Sequence, residues 1–275
     1  MKTPVLTVEE WEKIEREEHD EEYSDSLPYA MDPEQIIAYE DYCYKPGRRR
    51  DRGHRTRKAF EAIDLDTLPG KVLLDIGCGN GKYSVLCALK GAKVYAYDIS
   101  PVGVERGKAL AKLNGVESQC HFSVQNASRM DYPDAYFDII LMHEVLHHAI
   151  KYPGVKQEVI RVLKPGGKVV IAESLYGNFF VAIGRWFTMR GKEAKGDVIL
   201  TLDDINEFSQ DFSDKKIEMM SLFFLAKRIF TRWPDSIPLR CFLFLLKKVD
   251  DILLTMFPSL EKYCGECVVT LQKQP

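Results

Sequence analysis

Residues 72–81 read VLLDIGCGNG, and this stretch decides the fold. Its first five residues are mostly large and apolar, which predicts a buried strand. Gly77, Gly79 and Gly81 predict a turn that lets the backbone approach a ligand closely, because a residue without Cβ adopts positive φ readily. Residues 82–90 predict a helix. A strand, a glycine turn and a helix in this order build a cradle for a nucleotide-like cofactor.

An acid at the end of the next predicted strand extends this cradle. Asp98 comes twenty-one positions after Gly77, where a carboxylate can accept hydrogen bonds from both ribose hydroxyls. NAD, FAD and S-adenosylmethionine all fit these features. The glycine pattern is G-x-G-x-G rather than G-x-G-x-x-G, and Asp75 would repel a pyrophosphate. We therefore expect S-adenosylmethionine, with Asp75 near its positive methionine end and Asp98 at its ribose.

From about residue 70 to residue 175 the chain resembles the class I S-adenosylmethionine-dependent methyltransferases. The resemblance extends through QNA at 125–127, FDIILM at 137–142, VLHH at 145–148 and LKPGG at 163–167. It implies that S-adenosylhomocysteine is the product and that four further residues contact the cofactor: Ile99, Asn126, Ala127 and His143. Asn126 stands where an aspartate is more usual, which keeps an acceptor oxygen and removes a charge.

The order of predicted elements indicates a doubly wound, seven-stranded Rossmann-like α/β sheet. Strands and helices alternate, which favours a mostly parallel sheet, and the resemblance implies an antiparallel last strand. We expect a helical N-terminal cap over 1–60 and the methyltransferase domain over 61–275, with lid insertions at 176–200 and 225–263. The predicted strands span 72–76, 94–98, 120–124, 137–143, 168–173, 216–224 and 267–273.

Composition narrows the class of protein. The 275 residues are enough for one α/β domain with additions, and a net charge of −3 argues against a dedicated nucleic-acid binder. No secretory leader opens the sequence and no uncharged run reaches the ~18 residues typical of a membrane span. Seven cysteines, an odd number, suit a reducing compartment. We expect a cytoplasmic protein, and its oligomeric state stays open.

The two insertions follow predicted strands five and six, where ligands bind in open α/β sheets. Tyr176, Asn178 and Trp186 are candidate acceptor contacts in the first. The second is strongly apolar, with predicted helices broken by prolines 234, 238 and 258. Three interpretations stay open: ordinary core packing, a lid over a lipid-like, isoprenoid or aromatic substrate, or a peripheral membrane contact through Lys227, Arg228, Arg232, Arg240, Lys247 and Lys248.

An acidic segment at 9–22 precedes a basic one at 48–58. The two can pair with each other or with water. Alternatively, Arg50 and neighbouring arginines clamp a phosphate or diphosphate on the acceptor, for which the guanidinium fork is suited. RNA contact is a third interpretation, and no aromatic stacking module accompanies it.

Residues 143–147 read HEVLH, which matches the zinc-protease pattern H-E-x-x-H. The pattern requires a long helix, and here it follows an apolar strand, so we expect no metal site. Glu173, at the end of strand five, and His147 are instead candidates for a catalytic base. The sequence predicts methyl transfer to a small hydrophobic or amphipathic metabolite, with or without a phosphate. Protein or tRNA methylation and a noncatalytic cofactor-binding module remain the alternatives.

Overall fold

The computed structural model describes residues 7–34, 53–175, 200–228 and 236–275. In this part of the chain a seven-stranded sheet runs in the order β3-β2-β1-β4-β5-β7-β6. The strands are β1 Val72–Ile76, β2 Lys93–Asp98, β3 Cys120–Val124, β4 Phe137–His143, β5 Leu163–Ser174, β6 Asp214–Met220 and β7 Glu266–Gln272.

Strands β1 to β5 pair in parallel, and β7 lies antiparallel between β5 and β6. This confirms the predicted fold class. The carboxyl ends of β1, β2, β4 and β5 therefore meet at one edge of the sheet, where ligands bind in this architecture. The described helices are α1 Val8–Ser24, α2 Gly53–Ile63, α3 Lys82–Leu89, α4 Pro101–Leu113, α5 Leu146–Ala149, α6 Val155–Val162, α7 Leu202–Ser209 and α8 Ile237–Met256.

Each face of the sheet is covered by an apolar layer. Alternate residues of β1 point to opposite faces, so Leu74 and Leu73 are both fully buried but belong to different layers. Helices α6 and α7 cover the first layer, and α2, α3 and α4 cover the second. Burial on both faces fixes the sheet, and the strand ends become a rigid base for the site.

Local capping sets the helix boundaries that flank the site. Helix α4 begins after Ser100, whose hydroxyl accepts a hydrogen bond from the Gly103 N–H at 2.9 Å, and Pro101 occupies its first turn. Helix α1 begins with a capping box between Thr7 and Glu10. These residue types favour the start of a helix, so both helix starts follow from the local sequence.

Three expectations needed correction. Strand six was expected to reach residue 224, but β6 ends at Met220, because Ser221 takes a positive φ of 66°. Pro238 does not break a helix: it lies in the first turn of α8, where its missing N–H is not needed. The expected domain boundary at residue 60 falls inside α2, which packs on β5 and β7 as part of the main domain.

Candidate functional site

The glycine turn after β1 has the geometry that the sequence predicts. Gly77 adopts φ of 67°, and a Cβ there would come within 2.8 Å of the Val145 Cβ. The Gly79 N–H donates to Asp98 Oδ2 at 2.7 Å, and the Ser100 N–H donates to Oδ1 at 2.9 Å. The turn and the carboxylate therefore hold each other in place at the ends of β1 and β2.

A pocket opens beside this turn at the carboxyl edge of the sheet. Of the residues expected to bind the cofactor, five line it: Gly77, Asp98, Ile99, Asn126 and Ala127. Burial raises the pKa of Asp98, and the two backbone N–H bonds oppose that rise. The remaining lining residues are Glu15, His19, Tyr23, Ile76, Tyr97, Gln125, Glu144, Val145, His148, Ala149 and Tyr152.

The other expected cofactor residues lie behind the pocket and do not line it. The Ser84 hydroxyl donates to Asp75 Oδ2 at 2.5 Å, and burial raises the pKa of Asp75 to about 7. Asp75 thus holds the start of α3 and does not line the pocket. Gly79 and Gly81 shape the turn, with Gly81 as the N-cap of α3.

His143 also faces away from the pocket. Its Nε2 lies 2.9 Å from the Thr56 hydroxyl, and its ring centroid lies 4.6 Å from that of Tyr83. His147, four residues later, contacts Glu173 instead. The two histidines of the H-E-x-x-H pattern therefore have different partners. Among the described residues no three His, Cys, Asp or Glu side chains group as a metal site.

Helix α1 covers the pocket, which sequence reasoning did not foresee in detail. Glu15 is buried, and its carboxylate accepts hydrogen bonds from Tyr152 at 2.6 Å and from Lys151, and lies 3.1 Å from His148 Nδ1. Burial alone would raise the pKa of Glu15, but these hydrogen bonds lower it to about 2. A buried carboxylate with three partners fixes this helix over the site.

Further contacts hold the rest of α1 against residues around the pocket. His19 stacks on Tyr23 and meets His148 edge-on. Asp20 accepts a hydrogen bond from the Ser100 hydroxyl, and Glu12 accepts one from the Asn126 amide. The cavity left beneath α1 is about 70 Å³, well below the roughly 300–1,000 Å³ of small-molecule sites. The acidic segment thus closes the pocket and does not serve only to pair with the basic segment.

The two candidate bases form one hydrogen-bonded pair. Nδ1 of His147 lies 2.8 Å from Oε2 of Glu173, and the Leu146 N–H donates to Oε1 at 2.6 Å. Glu173 is fully buried at the end of β5, whereas the His147 side chain is 14% exposed. Of the pair, only the imidazole therefore has exposed surface. The adjacent His148 ring, 4.1 Å away, lines the cofactor pocket.

A buried ion network lies next to this pair. We use that name for Arg55, Glu144, Glu266 and Lys227. Arg55 Nη2 lies 2.5 Å from Glu144 Oε1, and Lys227 Nζ lies 2.8 Å from Glu266 Oε2. Arg55 Nη1 donates to Ser174 Oγ at 2.6 Å. The carboxylates raise the pKa of Arg55 against the opposing effect of its complete burial.

The network joins the cofactor pocket to the second insertion. Glu144 lines the pocket and has a positive φ of 54°, a strained value for a residue with a side chain. Lys227 lies in the 3-10 helix Phe224–Arg228, just after β6. Arg55 is therefore held by acids of its own chain and does not point to the opening of a ligand site. Arg57 and Lys58 pair with Glu61 on the surface of α2.

Another cavity, of about 320 Å³, lies where α2, β6 and α8 meet. Burial first, and then Lys247 and Lys227, lower the pKa of His54 in its wall to about 4. The cavity is lined by His54, Lys58, Glu218, Met219, Met220, Ser221, Phe224, Lys247, Asp250, Asp251 and Leu254. The expected acceptor residues Arg50, Tyr176, Asn178 and Trp186 lie outside the described residues.

Comparisons with known proteins agree with this geometry. Residues 74–171 match a family described as "Methyltransferase domain". The 24-methylenesterol C-methyltransferase 2 of Oryza sativa subsp. japonica is 35% identical over 136 residues, which are 48% of this chain and 38% of that protein. The probable chloroplastic tocopherol O-methyltransferase of the same plant is 35% identical over 123 residues, 44% of this chain and 34% of that protein.

A solved structure matches over the whole length. Geranyl diphosphate C-methyltransferase from Streptomyces coelicolor A3(2), in complex with Mg²⁺, geranyl diphosphate and S-adenosyl-L-homocysteine, has a TM-score of 0.60 at 14% identity. The match covers 99% of this chain and 100% of that one. At this identity the likeness is one of fold. The two plant relatives, by contrast, are matched over less than two fifths of their own length.

Residues 74–171 match a methyltransferase domain, and the fold is similar to that of geranyl diphosphate C-methyltransferase. The residues that line the pocket fit S-adenosylmethionine: Asp98 offers a carboxylate for the ribose hydroxyls, and Ile99 and Ala127 offer apolar surface. Gly77 lines the same pocket and leaves space for the Val145 side chain. Within the described ranges, no helix is both long and apolar enough to cross a membrane.

Proposed function

We propose that this protein transfers a methyl group from S-adenosylmethionine to a small lipophilic metabolite of the isoprenoid, sterol or aromatic kind. The observation that carries the proposal is the position of the His147–Glu173 pair. It lies beside the cofactor pocket, at the edge where β4 and β5 end. The relatives named for sterol and tocopherol methylation support the lipophilic class of acceptor.

The cofactor supplies an electrophilic methyl group, and the protein aligns the acceptor and takes up its proton. Asp98 holds the ribose, and its two backbone donors fix the carboxylate before the cofactor binds. Glu173 accepts the hydrogen bond of His147 Nδ1 and sets the ring orientation. The other ring nitrogen, Nε2, would take up the proton that the acceptor loses when the methyl group passes from sulfur to the acceptor and S-adenosylhomocysteine is left as the product.

In this scheme Glu173 is a positioning residue, and His147 is the base. The assignment follows from burial: Glu173 has no exposed surface, and both of its oxygens already accept hydrogen bonds from its own chain. A carboxylate held in this way orients its neighbour more effectively than it reaches a substrate. Glu144, held by Arg55, provides a fixed negative charge on the pocket wall near the same edge.

The test uses S-adenosylmethionine labelled in its methyl group and a lipid extract as the source of acceptors. We expect label in the fraction soluble in organic solvent and release of S-adenosylhomocysteine. Asp98→Ala should weaken cofactor binding in calorimetry by at least about 10- to 150-fold, since even one hydrogen bond to a charged group contributes ~1.5–3 kcal/mol. The matched control is Asp66→Ala, which removes an exposed acid far from the pocket.

The outcomes separate the alternatives. Label in precipitated protein or in tRNA would mean that the acceptor is a macromolecule. Tight binding of S-adenosylmethionine without turnover on any fraction would mean a noncatalytic module. Binding of NADH in place of S-adenosylmethionine would contradict the assignment of the pocket itself.

A further inference from the structure

Helix α8 carries an unusual amount of exposed apolar surface. Phe242, Leu245, Ile252 and Met256 are spaced by three, seven and four residues, so they share one face of the helix. Leu245 is 61% exposed, Ile252 57% and Met256 64%. We call these four residues the apolar stripe. A continuous apolar surface on a helix marks an interaction site more often than an isolated exposed leucine does.

The opposite side of α8 explains its orientation. Asp250 is buried there, and its carboxylate accepts hydrogen bonds from three successive backbone N–H groups, those of Leu222, Phe223 and Phe224, at 2.8 to 2.9 Å. These bonds fix the rotation of the helix on the protein. The apolar stripe is therefore held outward by a buried polar anchor.

The charges beside the stripe favour one partner. Helix α8 contains three basic residues, Arg240, Lys247 and Lys248, and two acids, Asp250 and Asp251. Asp250 is buried, and Asp251 lies 3.6 Å from Lys247. Lys248 is exposed at the edge of the stripe, and Arg240 is exposed in the first turn of the helix, so the exposed surface of α8 combines apolar side chains with basic ones. An anionic lipid surface is complementary to both properties.

We propose that α8 lies on the surface of an anionic membrane, with the apolar stripe among the acyl chains and Arg240 and Lys248 at the phosphates. Five charged residues along the helix favour this orientation parallel to the surface. A lipophilic acceptor would dissolve in the same bilayer. That last link rests on the proposed function, whereas membrane binding does not require it.

The experiment is co-sedimentation of the full chain with vesicles of phosphatidylcholine alone or with one quarter phosphatidylglycerol. We expect binding to the anionic vesicles that weakens as salt is added. The double variant Leu245→Ser with Ile252→Ser should bind at least about tenfold more weakly, because two aliphatic side chains that enter the acyl region become polar. Lys248→Glu should also weaken binding. Leu113→Ser, which alters an exposed leucine on α4, is the matched control.

Circular dichroism and calorimetry with S-adenosylmethionine check that each variant folds and keeps its cofactor site. Absence of wild-type binding to anionic vesicles would overturn the proposal. So would equal binding by wild type and the double variant. A wild-type dimer in light scattering that the same double substitution dissolves would assign the stripe to a second copy of the chain. Failure of methyl transfer with intact vesicle binding would affect only the proposed function.

Discussion

The two halves of the site are built in different ways. In the cofactor half, backbone N–H groups of the turn after β1 and of the start of α4 hold the Asp98 carboxylate. In the half that we propose for the acceptor, called the acceptor half below, side chains hold side chains: His147 contacts Glu173, and Arg55 contacts Glu144 and Glu266. The first half relies on local backbone shape, and the second relies on buried charges that the fold brings together from distant segments.

This difference determines how each half responds to change. Loss of the Asp98 carboxylate leaves two neutral backbone N–H groups without this acceptor, which costs less than an uncompensated buried charge, so we expect it to affect mainly the ligand. A buried ion pair behaves otherwise, because removal of one partner leaves the other charged and without compensation. We therefore expect substitutions in the acceptor half to affect both catalysis and stability, and the following predictions test that contrast.

The largest effect is expected at the His147–Glu173 pair. His147→Gln should lower kcat by about 10²–10⁴-fold, the usual contribution of a positioned general base. Glu173→Gln should have a smaller effect and should move the acid limb of the kcat–pH profile to lower pH, because a protonated imidazole loses its carboxylate partner. Steady-state kinetics over a pH series measures both.

His121→Gln is the matched control, since it alters an exposed histidine on β3. A larger loss of kcat in Glu173→Gln than in His147→Gln would reverse the two roles and make the carboxylate the base. Full activity in both variants would mean that alignment of the acceptor and exclusion of water suffice for catalysis.

The second-largest effect is expected in the free energy of unfolding, when Arg55 of the acceptor half is replaced. Arg55→Met should lower the free energy of unfolding by about 3–5 kcal/mol, because Glu144 would lose its guanidinium partner and the fully buried Glu266 would keep Lys227 but lose the guanidinium. Urea denaturation measures this change. Adding Glu144→Gln to Arg55→Met should recover part of the loss, and this holds even if the single variant is too unstable to study.

Arg57→Met is the control on the same helix, because its partner Glu61 lies on the surface and such pairs contribute about 0–1 kcal/mol. Equal losses of unfolding free energy in Arg55→Met and Arg57→Met would show that the buried Arg55 network stabilises the protein no more than a surface ion pair does. The two halves would then differ in their role in catalysis and not in their contribution to stability.

The same difference explains what the sequence predicts well. The strand, the glycine turn and Asp98 belong to one stretch of about thirty residues, so the sequence alone shows their pattern. The parallel sheet and the antiparallel last strand followed from the alternation of elements and from the family resemblance. The expected cofactor contact of Asp75 stays a prediction, and its sequence position gives no sign that its carboxylate accepts a hydrogen bond from Ser84.

The acceptor half was less predictable, since its contacts join residues far apart in sequence. Arg55 lies 89 positions before Glu144 and over 200 before Glu266. It occurs in a run of arginines that reads as a solvated or ligand-binding surface, and only the packing of α2 against β5 and β7 turns it inward. The burial of Glu15 was difficult to predict for the same reason, because it is one of nine acids in α1. Its spacing from Trp11 could have indicated burial, since it lies four residues later on the same, inner face of the helix.

Helix α1 belongs to the cofactor half in space but to a distant segment in sequence, and it gives the last prediction. The folded state lowers the pKa of Glu15 from 4.5 to about 2. The ionised carboxylate therefore stabilises the protein above pH 4.5, and this contribution is lost as the pH falls toward 2. Below pH 4.5 the loss should be about 1 kcal/mol for each pH unit, to a total of about 3 kcal/mol.

The test compares the free energy of unfolding of wild type and Glu15→Gln at pH 6 and at pH 3.5. The destabilisation caused by Glu15→Gln should shrink by about 1 kcal/mol at the lower pH, since there the wild-type carboxylate no longer contributes fully. Glu9→Gln, an exposed position of the same helix, should show no such change. Because the cavity under α1 is smaller than a typical ligand site, we also expect the helix to shift when the cofactor enters. Glu15→Gln should therefore speed cofactor association in stopped-flow measurements at pH 6. An unchanged association rate, together with a lost pH dependence of stability, would mean that Glu15 anchors α1 without controlling access to the site.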